Sequence, residues 1–95
     1  MNYNFEWDPG KEKLNKQKHG ISFEEAATVF RDQRALTIFD PDHSESENRW
    51  TTLGISQNGK LLVTCHTFKT ENGVAFIRIF STRKATKTEK KQYGE

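Results

Sequence analysis

Only one cysteine, Cys65, occurs in the 95 residues, which excludes an intramolecular disulfide and a cysteine-built zinc site and fits a reducing cytosol. Apolar residues make up 33% of the chain, and nowhere do they gather into a run of about 18, the length of a membrane span. No charged-then-apolar leader stands at the start, so neither a signal peptide nor a membrane span is expected. A glycine-rich phosphate loop is missing, which argues against nucleotide hydrolysis, and no serine-centred nucleophile motif is present. His19, His43 and His66 fall at none of the i, i+4 or short-loop spacings of known ligand sets, so no metal and no other cofactor is expected.

What is present is aromatic and charged. Seven Phe, two Trp and two Tyr supply buried area that the thin aliphatic content does not. Two pieces of so short a chain would each be too small to bury a stable core, so residues 1–95 are read as a single domain. The net charge of +2 is unevenly spread. Asp40, Asp42, Glu45 and Glu47 precede Arg49 in an acidic loop, while Arg78, Arg83, Lys84, Lys87, Lys90 and Lys91 crowd the last part of the chain. Basic residues at that density fit either phosphate contact or a solvated polar face.

Along the chain, Tyr3, Phe5 and Trp7 alternate with polar residues, the period of a half-buried strand over 3–7. Asp8-Pro9 caps a helix running to about Lys18, whose only large apolar residue is Leu14 and which Gly20 ends. Ser22 and Glu25 form a capping box for a second helix, where Phe23, Ala26, Ala27 and Phe30 share one stripe as far as Arg31. Residues 35–39 form a strand. Two longer strands then flank Asn58-Gly59, the sequence preferred by a two-residue hairpin turn. That turn sets Ile55 opposite Leu62, Leu53 opposite Thr64, Thr51 opposite His66 and Arg49 opposite Phe68, gathering Glu47, Arg49 and His66 at one end of a sheet face. After Asn72-Gly73 a strand runs from Val74 to about Thr82. A two-residue loop there places Ile77, Ile79 and Arg83 on the His66 face, and a three-residue loop places Arg78 there instead. Thr86 and Glu89 cap a basic helix from Lys87 to Tyr93, with Tyr93 its one anchor. The order of elements points to the α+β class: an antiparallel sheet of four to five strands, two N-terminal helices packed on it, and a short C-terminal helix.

Several side chains carry candidate chemistry. His19 follows Lys18 at a helix C-terminus, where the dipole favours positive charge; it is a general acid, a phosphate donor or simply a cap for the last carbonyls. Glu47 and Arg49 project to the same side of an extended segment, as a base beside a cation or as a surface ion pair. Arg78 and Arg83 flank Ile79-Phe80, and guanidinium forks suit phosphate oxygens. Cations, a histidine and a glutamate without a metal suit cleavage of an RNA phosphodiester: a base takes the ribose 2′-OH proton, the oxygen attacks phosphorus, and an acid protonates the departing 5′-oxygen. The same residues would serve a non-catalytic RNA-binding or co-repressor module.

Three blocks carry a resemblance over nearly the whole chain: F-E-W-D-P with K-H-G-I-S-F-E-E-A, the central E-x-R, and I-R-I-F-S-T-R-K-A-T-K-T-E-K-K-Q-Y. In that order they resemble the BrnT family of type II toxins. Phe80-Ser81-Thr82 stands where that pattern has Ile-Ser-Ala. The resemblance implies a RelE-like fold and a metal-independent endoribonuclease that arrests translation and growth in the cytoplasm. It also implies neutralisation by a BrnA-like antitoxin with a ribbon-helix-helix domain, operator DNA being bound only through the complex. Position by position it implies His19, Glu47, Arg49 and Arg83 as catalytic residues, with Glu47 the base and His19 the acid, and Lys18 and Arg78 as RNA phosphate binders. The lightly anchored first and last helices are candidate contact points for the antitoxin.

Overall fold

The computed structural model describes residues 2–94. Its elements are β1 (Asn2–Glu6), α1 (Pro9–His19), α2 (Phe23–Ala27), β2 (Leu36–Asp40), β3 (Arg49–Ile55), β4 (Leu61–Thr67), β5 (Lys69–Glu71), β6 (Val74–Lys84) and α3 (Lys87–Tyr93). The α+β class holds. The second helix is shorter than expected, because a 3-10 turn, Thr28–Arg31, replaces its last part.

The helices begin and end where their capping residues stand. Asp8 accepts a hydrogen bond from the Lys11 amide at 3.1 Å, and Gly20, at a φ of 72°, donates its own amide to Lys16 at 2.7 Å. Ser22 caps α2 by accepting from the Glu25 amide at 3.0 Å. The expected box is not reciprocal. The Glu25 carboxylate accepts from the Ser56 hydroxyl at 2.8 Å, and the Phe23 amide donates to Glu12 of α1 at 2.9 Å.

Six strands form one mixed sheet in the order β1-β6-β4-β3-β2, with β5 paired to β6 beyond the end of β4. The expectation of a wholly antiparallel sheet of four to five strands is corrected at its edge: β1 runs parallel to β6, Asn2 opposite Val74 and Glu6 opposite Arg78. Period-2 alternation reveals a strand but not its partner, and this partner lies at the other end of the chain.

The registers also differ. Around Asn58-Gly59 the Ser56 amide donates to Lys60 at 2.8 Å and only Gly59 takes a positive φ, 78°, so the loop has three residues. Bonds from α2 and its continuation hold this turn: Thr28 accepts from the Gln57 amide at 2.9 Å, and Glu25 takes the Ser56 hydroxyl. The ladder therefore pairs Arg49 with Thr67, Trp50 with His66 and Thr51 with Cys65, one step from the expected register. The two-residue turn with both φ positive is instead Asn72-Gly73, at 51° and 79°. From it Ile77 and Ile79 reach the His66 face as the two-residue alternative requires. Arg83 does not, because a bulge inserts Phe80 between the pairs Ile79–His66 and Ser81–Cys65, and everything beyond changes face.

Each face of the sheet has its own cover. Phe23 and Ala26 of α2 pack on Ile77 and Ile79, with Phe5, Trp7 and Phe30 around them, and Ile21 and Val29 pack on Leu62. Gly54 lies beneath: a Cβ there would stand 3.1 Å from Ala35 and 3.2 Å from Val29, so the close approach of the 3-10 turn to β3 requires glycine. On the opposite face Tyr93 of α3 closes a smaller cluster with Leu53, Leu61 and Val63. That face is left uncovered at its other end, around Arg49, Thr67 and Arg78.

Helix α1 docks through polar atoms. Leu14, its expected anchor, is 68% exposed, whereas Asn15 is buried. The Asn15 amide nitrogen donates to the Thr82 carbonyl at 3.0 Å and its oxygen accepts from the Thr82 amide at 3.1 Å. Since β1 borders only Val74–Arg78, the last part of β6 has a bare edge, and this carboxamide supplies the donor and acceptor that another strand would. Replacing Asn15 with Ala leaves both Thr82 groups without partners and is expected to cost about 2–4 kcal/mol. Leu14→Ala should stay within about 0.5 kcal/mol. Urea denaturation of both variants checks this; equal costs would show that α1 docks through its apolar surface.

Candidate functional site

Three of the residues singled out in the sequence meet at the uncovered end of the sheet. Arg49 opens β3, opposite Thr67 of β4, and the Arg78 amide of β6 donates to the Thr67 hydroxyl at 3.0 Å. The pleat thus sets both guanidinium groups on one face across three strands. Glu47 arrives from the loop before β3, which is tied down where the Arg49 amide donates to the Ser44 hydroxyl at 2.9 Å. Its carboxylate accepts a short hydrogen bond from Arg78, and Arg49 stands 4.0 Å from the same oxygen.

Phe80 and Lys11 complete the group. The Phe80 ring faces Arg49, whose Cζ is 4.1 Å from the ring centre, Arg78 at 5.1 Å and Lys11 Nζ at 5.4 Å. Asp8, Lys11, Glu47, Arg49, Arg78 and Phe80 line an open depression of about 290 Å³. The sequence held a signal for Phe80, an apolar side chain set between arginines. It held little for Lys11, one of several lysines on a solvated helix.

The remaining expected site residues stand elsewhere. Lys18 is exposed and His19 half-buried at the far end of α1, about 12 Å along the helix from Lys11. His19 has no side-chain hydrogen bond or ion pair to any described residue. Arg83 pairs with Val63, about 13 Å along β4 from the Arg49 partner Thr67. Its guanidinium grips Glu89 of α3 through two bonds of 2.8 and 2.9 Å. Of the six expected site residues the structure brings three together: Arg83 shares their face but lies further along the sheet, and the length of α1 carries Lys18 and His19 away.

His66, expected beside Glu47 and Arg49, faces the helices. It is fully buried, bonded through Nε2 to the Thr52 hydroxyl at 2.7 Å and through Nδ1 to the Thr67 carbonyl at 2.8 Å, with Phe30 against its ring at 4.8 Å. Burial lowers its pKa, the Thr67 bond opposing, so the ring is neutral and structural. Among the described residues no group of three or more His, Cys, Asp or Glu side chains is placed to hold a metal ion. No helix among them is long and apolar enough to cross a membrane.

The sequence model of the ribonuclease toxin BrnT, of type II toxin-antitoxin systems, matches residues 7–89. The chain belongs to the BrnT family. Its fold is similar to the crystal structure of the Brucella abortus ribonuclease toxin BrnT, with a TM-score of 0.57 and 18% identity over 92% of this chain and 100% of that one. No curated protein matches the sequence. In this BrnT-family chain, the matched span contains every residue of the Arg49–Arg78 cluster.

The pair at the other end of the sheet has a measurable titration. Hydrogen bonds from Arg83 draw the Glu89 carboxyl from its ordinary 4.5 down to about 2, against the opposing effect of burial. Because the folded value is the lower one, the pair's contribution is complete above the ordinary value and disappears as pH falls towards about 2. A Glu89→Gln variant should therefore melt below wild type at neutral pH, with the gap in Tm closing on acidification from 4.5 to about 2. A gap independent of pH would mean that this pair does not hold α3.

Proposed function

We propose that the chain is a metal-independent endoribonuclease toxin that cuts RNA on the uncovered end of its sheet and so arrests translation. The observation that carries this reading is the gathering of Lys11, Arg49 and Arg78 around one ring, with a carboxylate among them, on a part of the sheet face that no described helix covers. Arg78 and Glu47 are 40% and 36% exposed, so their ion pair is weak and open to exchange. A phosphate diester entering the depression takes the place of the Glu47 carboxylate at the guanidinium groups.

The freed Glu47 removes the ribose 2′-OH proton. The 2′-oxygen then bonds to the adjacent phosphorus and the bond to the 5′-oxygen breaks, while Arg49 and Arg78 balance the charge on the phosphoryl oxygens. Lys11, the one cation of the cluster without an ion pair to Glu47, gives the departing oxygen its proton. This reassigns the acid from His19, which with Lys18 contacts phosphates further along the strand. Arg83 holds α3 in place. The partner is a BrnA-like antitoxin with a ribbon-helix-helix domain, and operator DNA is reached through that complex alone.

The test is RNA cleavage by the purified chain in EDTA, with and without ribosomes, alongside growth of cells expressing it without antitoxin. Wild type should cleave and arrest growth. Glu47→Gln and Arg78→Ala should each lose about 100-fold or more in rate, and Lys11→Ala more than His19→Ala. RNA left intact by wild type, with salt-sensitive binding retained, would overturn the enzyme reading in favour of a non-catalytic RNA-binding module.

A further inference from the structure

Three cations within reach of one another repel; Glu47 pairs with Arg78 and stands 4.0 Å from Arg49 but has no ion pair with Lys11, and the two ordinary means of holding such a cluster each carry a cost. Hydrogen bonds to backbone carbonyls would use up donors that a phosphate needs, and a carboxylate such as Glu47 cancels the charge that makes the site attractive. An aromatic ring does neither. Its face is negative without carrying net charge, so it attracts cations while leaving their sum intact.

Phe80 occupies that place. The bulge leaves it unpaired between Ile79, opposite His66 on the helix-covered face, and Ser81, opposite Cys65 on the uncovered one. Its half-buried ring is turned to the uncovered face, against the guanidinium of Arg49 at 4.1 Å, with Arg78 at 5.1 Å and Lys11 at 5.4 Å. These three side chains come from β3, β6 and α1, and among the described residues no ion pair or hydrogen bond links α1 to β3 at this end. The ring is the common contact.

We infer that Phe80 is a positioning residue for the proposed RNA site, its ring drawing Lys11, Arg49 and Arg78 into one phosphate-binding cluster through its negative face. The inference rests on the reading of this face as the RNA site. It goes beyond that reading by making the quadrupole of an uncharged side chain, and not its bulk, the determinant of phosphate affinity.

The experiment uses the full chain with pentafluorophenylalanine at position 80, which keeps the shape of the ring and reverses its quadrupole, together with Phe80→Trp and Phe80→Leu. The first readout is binding of a 2′-O-methyl oligonucleotide, which cannot be cleaved, over a range of salt; the second is cleavage of the unmodified RNA. The fluorinated protein and Phe80→Leu should bind about tenfold more weakly, with a shallower salt slope, while Phe80→Trp binds like wild type. Thermal unfolding of the fluorinated protein should match wild type. Equal affinity and slope for the fluorinated protein and wild type would overturn the role of the ring. That result is distinct from a failure of the enzyme reading, in which wild type binds the modified oligonucleotide but leaves the unmodified RNA intact. Wild type that binds neither overturns both.

Discussion

Strand β6 borders three others, β1, β4 and β5, and its bare upper edge is closed by α1, so a single irregularity in it is felt through the whole chain. That irregularity is the bulge at Phe80. Before it, alternate side chains Ala75, Ile77 and Ile79 feed the core beneath α2. After it the alternation is inverted, and Thr82 takes the buried place while Arg83 turns to the side of α3. A regular strand would direct Arg83 towards the apolar helices and deprive Glu89 of its partner. The bulge thus lets one strand serve a core on one face, a cationic patch on the other, and the anchoring of the last helix.

The sequence made the local elements legible and left most of their pairing hidden. Caps are written in short spans, and Asp8-Pro9, Gly20, Ser22 and Thr86 marked helix ends to within a residue or two. The turn at Asn58-Gly59 shows the limit of such signals. Its composition favours two residues, but Glu25 and Thr28, distant in sequence, hold a three-residue form and move the ladder by one step. That step separates His66 from Arg49. Likewise α1 carries no apolar stripe, and nothing local announces that Asn15 would satisfy the backbone of Thr82 from 67 positions away.

Of the candidate site, the charged members Glu47, Arg49 and Arg78 were legible because chemistry is visible in residue type. The bulge was not, since Ile79 and Phe80 differ too little in character to reveal which one leaves the ladder. Arg83 shows that a residue type has more than one use. A guanidinium that suits phosphate suits a carboxylate equally, and here Glu89 claims it with two bonds. Tyr93, expected as the sole anchor of α3, shares that task with this ion pair, with its own hydroxyl bond to Asp32, and with the stacking of Arg34 over its ring at 5.2 Å.

The attachment of α1 through two polar side chains has a consequence for how this protein varies. A helix held by an apolar stripe is bound in sequence along its whole length, whereas this one is held at Asn15 and at Glu12, whose carboxylate receives the Phe23 amide. Lys13, Lys16, Gln17 and Lys18 are exposed and take no part in that attachment. The charge they present can drift towards more or fewer lysines while the fold stays as it is. Surface charge and stability therefore sit on separate residues of the same helix, and selection can change one without disturbing the other.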